Sequence, residues 1–299
     1  MKFGVTGGAG FIGNNIVRLL LKQGHQVKVI DNLHTGKMEK LSNIRDKIEF
    51  ENIDIRDFKN LSSALKNVDG VFHEAALTIV QESFEKEKEY HDVNVVGTEN
   101  IFKIAKENDF KVVYASSSSI YGNTISVPIK EDFPRNPINP YGKTKLEDEL
   151  LAEQYSSEGV KIIGLRYFNV YGIGQTGTYA GVITKFLNRL KKSESPIIFG
   201  DGSQIRDFVY VGDVALANLS AMNSNTDTGF FNIGTGKGVS IFELAEKMIS
   251  LFRLDLKPIF DKPLEGDVKK SIASLFLTKS KLNWNYKTKL EEGLKLFVN

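Results

Sequence analysis

The segment Thr6-Gly7-Gly8-Ala9-Gly10-Phe11-Ile12-Gly13 follows the short apolar run Lys2 to Val5 and opens a helical pattern; it constrains the fold more than any other stretch of the chain. Each glycine has a separate physical use in such a turn. Gly7 permits a tight bend, Gly10 lets backbone N–H groups approach a pyrophosphate at the helix N-terminus, and Gly13 lets the helix pack closely on the strand. Beyond the loop, Ile12, Ile16, Val17, Leu19, Leu20 and Leu21 recur at near-helical spacing, and Gly24 supplies a C′ stop before a second β-rich run, Gln26 to Ile30. The first 30 residues therefore read as a βαβ unit that binds a dinucleotide.

Further short β-rich runs, Ile48 to Asn52, Gly70 to His73, Lys111 to Ala115 and Lys161 to Tyr167, alternate with longer helical patterns. That rhythm predicts an α/β fold built on a parallel, doubly wound sheet. After about residue 170 the pattern loosens into glycine-rich turns, Gly172 to Gly181 and Gly200 to Gly202, with shorter helices near Ile183 to Lys192 and Ile241 to Phe252. The expected organisation is a first domain of residues 1–170 and a smaller α/β lobe of residues 171–299, some segments of which return to the first sheet. No cysteine occurs and only four histidines, which excludes disulfides, thiolate nucleophiles and cysteine-bound metal and leaves no expected metal site. Acids nearly balance bases, at a net charge of +2, so nothing marks a polyanion binder such as a nucleic-acid protein. Glycines interrupt the opening apolar run and no apolar stretch is long enough to span a membrane, so a soluble, cytoplasmic protein is expected.

Asp31 ends the second predicted strand 18 residues after Gly13, where a carboxylate can accept hydrogen bonds from the ribose hydroxyls of an adenosine. The same charge repels a 2′-phosphate, and Asn32 and Leu33 follow it instead of an arginine, which favours NAD over NADP. Asp54-Ile55, just past the third strand, is placed to flank the adenine. Further along, Tyr141-Gly142-Lys143-Thr144-Lys145 opens a helix after Pro137 and Pro140, so Tyr141 and Lys145 stand one turn apart on one face. An ammonium held near a phenol favours the phenolate, which makes Tyr141 a feasible proton acceptor and donor for a carbinol. Ser116 to Ser119 follow the fifth strand at the carboxyl edge of the sheet, where a serine hydroxyl can hold the same substrate oxygen.

With TGGAGFIG, SSSSIYG and YGKTK in this order, the chain resembles the extended short-chain dehydrogenase/reductase family, in its NAD-dependent epimerase/dehydratase branch, over essentially its whole length. The similarity continues through Arg166 to Gly172, Phe199 to Tyr210, Asn232 to Gly236 and Gly266-Asp267. The resemblance implies a Rossmann domain holding NAD and a second lobe holding a nucleotide-sugar, with Tyr141 as acid/base, Lys145 as its partner and Ser117 as the hydroxyl sharing the substrate oxygen. It implies cofactor contacts from Phe11, Ile12, Asn32, Leu33, Gly36, Asp54, Ile55, Ala75, Asn94, Tyr141, Lys145 and Tyr167, besides Gly7, Gly10, Gly13 and Asp31. It implies substrate contacts from Asn169, Arg206, Asp267 and Ser271, with Arg206 suited to a diphosphate through paired hydrogen bonds. A homodimer built from helix pairs is also implied.

Dehydratases of the branch carry Asp-Glu directly after the hydroxyl residue, whereas this chain carries Ser118-Ser119, so the resemblance points to epimerisation at C4 of a UDP-linked sugar such as UDP-glucose or UDP-galactose. The small Ser271 stands where the family gates pocket size and leaves room for N-acetylated sugars. One departure touches the substrate: Leu264-Glu265-Gly266-Asp267 replaces Arg-x-Gly-Asp and removes a diphosphate anchor, for which Lys262, Lys269 and Lys270 are the nearest cations in sequence. Two other functions remain open to the sequence: a nucleotide-sugar reductase, dehydrogenase or dehydratase that uses the same residues, and a non-catalytic NAD-binding regulator.

Overall fold

A computed structural model describes residues 1–124, 126–175 and 181–298; part of the Gly172 to Gly181 turn, including Gly177, lies outside them. Seven parallel strands form the main sheet, in the order Gly229–Ile233, Ile162–Tyr167, Lys111–Ser117, Gly70–His73, Lys2–Thr6, Gln26–Ile30 and Glu49–Glu51. Burial on both faces explains the unbroken apolar runs: every residue of Gly70–His73 and Ile162–Tyr167 is buried. Within Lys111–Ser117, Val113 joins the cluster on one face while Val112 and Tyr114 join the cluster on the other. The same strand runs two residues further than expected, because Ser116 and Ser117 pair in register with Arg166 and Tyr167.

Strand order reverses between Lys2–Thr6 and Gly70–His73, the crevice position where ligands of such sheets bind. The first strand feeds helix Phe11–Lys22, which ends at Gln23 with Gly24 beyond it at φ +79°. A glycine accepts that left-handed conformation without strain, as the C′ expectation requires.

Beyond residue 170 the chain serves both lobes. Strand Ile205–Tyr210 is flanked by Gly238–Ser240, Lys270–Ser271 and Asn169–Tyr171, and helices Val182–Leu190 and Ile241–Leu251 pack in a third cluster with residues of that sheet. Ser240 and Glu243 close a reciprocal cap at the start of Ile241–Leu251, which fixes where that helix begins. Between these segments, helix Val211–Asn223 and strand Gly229–Ile233 fold back on the first domain, the strand forming the outer edge of the seven-stranded sheet. Among the described residues no helix is long and apolar enough to cross a membrane.

Candidate active site

A cleft of about 610 Å³ runs from the glycine loop, along the carboxyl ends of the main strands, to Arg206 and Ser271 in the second lobe. At its first end the glycines are required by contact. A Cβ at Gly7 would stand 2.7 Å from Ala75 N, and one at Gly13 would stand 2.2 Å from the Gly7 carbonyl oxygen, closer than any real contact. No side chain caps Gly10 and no acid stands in the first turn of Phe11–Lys22, so the opening N–H groups are left for an anion. An uncapped helix start in a glycine cradle, with a carboxylate at the end of the adjacent strand, fits the pyrophosphate and ribose of NAD.

That carboxylate, Asp31, is buried. Its oxygens accept N–H bonds from Ala9 at 2.9 Å and Leu33 at 2.8 Å, and each keeps a lone pair for a further donor. Burial raises its pKa, and the two N–H donors and Lys40 only partly counter this. Asn32 donates to Asp54 at 2.9 Å, which joins the ends of the second and third strands, while Arg56 grips Asp54 and holds it down to about 2.

Tyr141 and Lys145 line the middle of the cleft from helix Pro140–Ser157, whose start is set by Asn139 accepting the Gly142 N–H. Thr144 donates to the Tyr141 carbonyl and Ser83 accepts the Tyr141 N–H, so the first turn is held on two sides. Lys145 is buried and donates to Asp148 at 3.0 Å. Burial alone would lower the lysine, but the charges of Asp148, Tyr141 and Glu74 outweigh it and its pKa is raised. Lys145 is thus an ammonium throughout the working range.

All four serines of the run touch the cleft, but the hydroxyls of Ser116 and Ser117 have different partners. Ser116 Oγ donates to Glu149 at 2.6 Å, within a buried network where Arg166 donates twice to the same carboxylate. Ser117 Oγ accepts the Ser119 N–H at 3.1 Å, which leaves its O–H to donate into the cleft it lines. Strand alternation directs the two hydroxyls apart, as it does Val113 and Tyr114.

At the far end the cleft is lined by Asn169, Arg206, Leu264, Asp267 and Ser271. Arg206 donates to Asp267 in a short ion pair and to the Ile205 carbonyl at 2.8 Å, so two expected substrate contacts hold one another in this state. Lys262, Lys269 and Lys270, the nearest cations to Leu264 in sequence, lie outside the lining, whereas Lys185 of helix Val182–Leu190 is part of it. Within that segment the lining is made by Leu264, Gly266, Asp267, Val268 and Ser271, and not by its three lysines.

Most expected cofactor positions line the same cleft: Gly7, Gly10, Phe11, Ile12, Gly13, Asp31, Asn32, Asp54, Ile55, Ala75 and Tyr167. Three do not. Leu33 packs against the core at φ +59°, and Gly36 sits beneath the Asp31 carboxylate, 2.8 Å from where its Cβ would stand. Asn94 is fully buried and braces the wall from behind, bonding the N–H and carbonyl of Leu77 and the Thr144 hydroxyl.

Two carboxylates in and beside the cleft escaped the sequence reading. Glu74, directly after strand Gly70–His73, accepts from Tyr167 at 2.8 Å, and its other oxygen is shielded from solvent with no partner among the described residues. Burial raises it to about 8, against the Tyr167 bond and the Lys145 charge. The second is Asp148. The available signals were position at a strand's carboxyl end for Glu74 and the i, i+3 spacing from Lys145 for Asp148. Among the described residues no cluster of three His, Asp or Glu side chains could hold a metal ion.

The model of the NAD dependent epimerase/dehydratase family matches residues 4–234. A putative UDP-glucose 4-epimerase of Methanocaldococcus jannaschii is 43% identical over 301 residues, 99% of this chain and 96% of that protein. Among solved structures, the Thermotoga maritima UDP-glucose 4-epimerase with UDP-glucose superposes with a TM-score of 0.95 at 37% identity, covering 100% of this chain and 97% of its own. The UDP-N-acetylglucosamine 4-epimerase of Methanobrevibacter ruminantium M1, in complex with UDP-N-acetylmuramic acid, does so at 0.94 and 36% identity, covering 99% and 96%. With its glycine cradle, its buried Asp31 and the Tyr141 and Lys145 pair in one cleft, this chain belongs to the NAD-dependent epimerase/dehydratase family, and its cofactor is NAD.

Proposed function

We propose that the protein is an isomerase that inverts C4 of a UDP-linked sugar, interconverting UDP-glucose and UDP-galactose and admitting their N-acetylated forms. The observation that carries this reading is one continuous cleft in which Ser117, Tyr141 and Lys145 stand between a dinucleotide cradle and an arginine-bearing second lobe. The two solved relatives act on UDP-sugars of both kinds, which supports the same substrate class here.

Tyr141, as the phenolate, takes the proton of the C4 hydroxyl as that carbon is oxidised and returns it when the carbonyl is reduced. Lys145, charged and buried beside it, favours the phenolate before oxidation and after reduction, whereas in the interval between them Tyr141 is a neutral phenol. The Ser117 O–H donates to the same sugar oxygen and fixes its distance from Tyr141, so that much of the rate arises from orientation. Bound NAD supplies the acceptor and donor of the hydride. Inversion further requires the 4-keto sugar to present its opposite face, and Ser271 contributes only a small side chain to the cleft lining. Ser118 and Ser119 offer no carboxylate for elimination, which disfavours a dehydratase.

The test is to incubate the protein with UDP-glucose, UDP-galactose, UDP-N-acetylglucosamine and dTDP-glucose, follow products by proton NMR, and record reduced-nicotinamide absorbance in parallel. Epimer formation without accumulated NADH is expected. Stoichiometric turnover of added NAD(H) assigns a reductase or dehydrogenase instead, and intact NAD binding with no turnover assigns a regulator. A homodimeric, cytoplasmic enzyme belongs to the same proposal, and light scattering of the purified protein tests the dimer.

A further inference from the structure

Asp148 occupies a fully buried position on helix Pro140–Ser157, where an aliphatic side chain would satisfy packing. A carboxylate there is costly unless a partner repays its desolvation. Its Oδ2 accepts from Lys145 at 3.0 Å, while Oδ1 has no hydrogen-bond partner among the described residues. The side chain is therefore aimed at a single group, and that group is the ammonium beside Tyr141. We propose that Asp148 is a positioning residue for the proton transfer: it holds the Lys145 ammonium from within the helix, so that Lys145 stays charged and stays beside Tyr141. The inference rests on Tyr141 and Lys145 carrying that transfer.

The surroundings give the hold a pH dependence. Facing the pair are Tyr141, Glu147 and Glu149 on the same helix, Tyr114 from strand Lys111–Ser117, and His73 and Glu74 from the end of strand Gly70–His73. Burial raises Asp148 to about 7, the Lys145 charge pulls it back only in part, and Glu147 and Glu149 push it up further. Above that pH the carboxylate is charged and grips Lys145. As pH falls through it, Asp148 takes a proton and the grip weakens, while His73, lowered to about 3 by burial and by Lys145, stays neutral. Glu74, raised to about 8, is already mostly neutral there and cannot replace the lost charge.

The test reads Lys145 directly in the NAD-loaded enzyme labelled with 13C-lysine, its Cε resonance identified by its absence from Lys145→Arg. In the wild type that resonance is expected to inflect near pH 7, where Asp148 titrates. In Asp148→Asn the inflection disappears and the amine deprotonates at lower pH. On a UDP-sugar, Asp148→Asn is expected to lower kcat by about tenfold to a hundredfold with KM within about twofold, and Asp148→Glu to restore most of kcat. A wild-type Lys145 resonance with no inflection near pH 7, or an asparagine variant with wild-type kcat and pH profile, overturns the proposal. Should the asparagine variant fail to fold, the titration of Glu74→Gln decides: with the other carboxyl that faces Lys145 made neutral, an inflection near pH 7 supports Asp148 and its absence overturns the proposal. Should no sugar-nucleotide be turned over, the proposed function fails, yet the lysine resonance still shows whether Asp148 holds Lys145.

Discussion

Replacing Glu74 by Gln should stabilise the protein, and by an amount that grows with pH in a defined window. The carboxyl group is raised from 4.5 to about 8, chiefly by burial. Its folded-state pKa lies above the unfolded one, so the stability it supports is complete below about 4.5 and is lost as pH rises to about 8. At about 1.4 kcal/mol per pH unit, the full loss is about 5 kcal/mol. Glutamine preserves the acceptor for the Tyr167 hydroxyl at 2.8 Å and carries no charge to desolvate. Asp148 titrates in both proteins, so its contribution cancels in the difference. Denaturant unfolding of the two proteins at equal NAD saturation, from pH 5 to pH 9, should show Glu74→Gln gaining stability steadily up to about pH 8 and levelling above it. In thermal scans the plateau corresponds to a difference of roughly 10 °C for a chain of this size. A stability difference that stays constant across the range would refute the reasoning, because Glu74 would then be ionised and solvated in the folded protein.

Gly13→Ala places a methyl group 2.2 Å from the Gly7 backbone carbonyl oxygen, which cannot swing aside as a side chain would, and should cost about 3 kcal/mol or more while abolishing NAD retention; unfolding curves and the nucleotide content of the purified protein check both. Leu264→Arg adds a cation to the cleft wall near Arg206 and should lower KM for a UDP-sugar by roughly threefold to tenfold, whereas an unchanged KM removes the diphosphate from that end. Ser271→Tyr should suppress turnover of the acetamido sugar selectively, by about a hundredfold in kcat/KM relative to UDP-glucose; equal loss on both sugars sinks the size-gate idea.

Much of the fold and the pairing of Tyr141 with Lys145 was legible because both are encoded over short stretches. A tight turn into a helix demands glycine at Gly7, Gly10 and Gly13, and the helical repeat alone places Tyr141 and Lys145 one turn apart. Parallel strands buried on both faces announce themselves as apolar runs, and Asp31 follows from the length of one βαβ unit. Which serine keeps its hydroxyl for the cleft was open to the chain's own pattern, because Ser116 and Ser117 differ only in the direction that strand alternation gives them; the family resemblance named Ser117, and the Glu149 network that claims Ser116 comes from another helix.

What the sequence by itself determined about this protein is therefore the dinucleotide cradle, the placing of Tyr141 and Lys145 on one helix face and the doubly wound sheet that brings them to one edge. Only the tertiary structure decided the environment of that pair. Burial makes Glu74 and Asp148 reluctant acids, pairs Arg206 with Asp267, withdraws Leu33, Gly36 and Asn94 behind the cleft wall, and brings Lys185 to the lining in place of the three lysines nearer Leu264 in the chain. The physical reason is that desolvation and charge pairing depend on which distant segments pack together, and the spacing of residues along a chain carries no record of that.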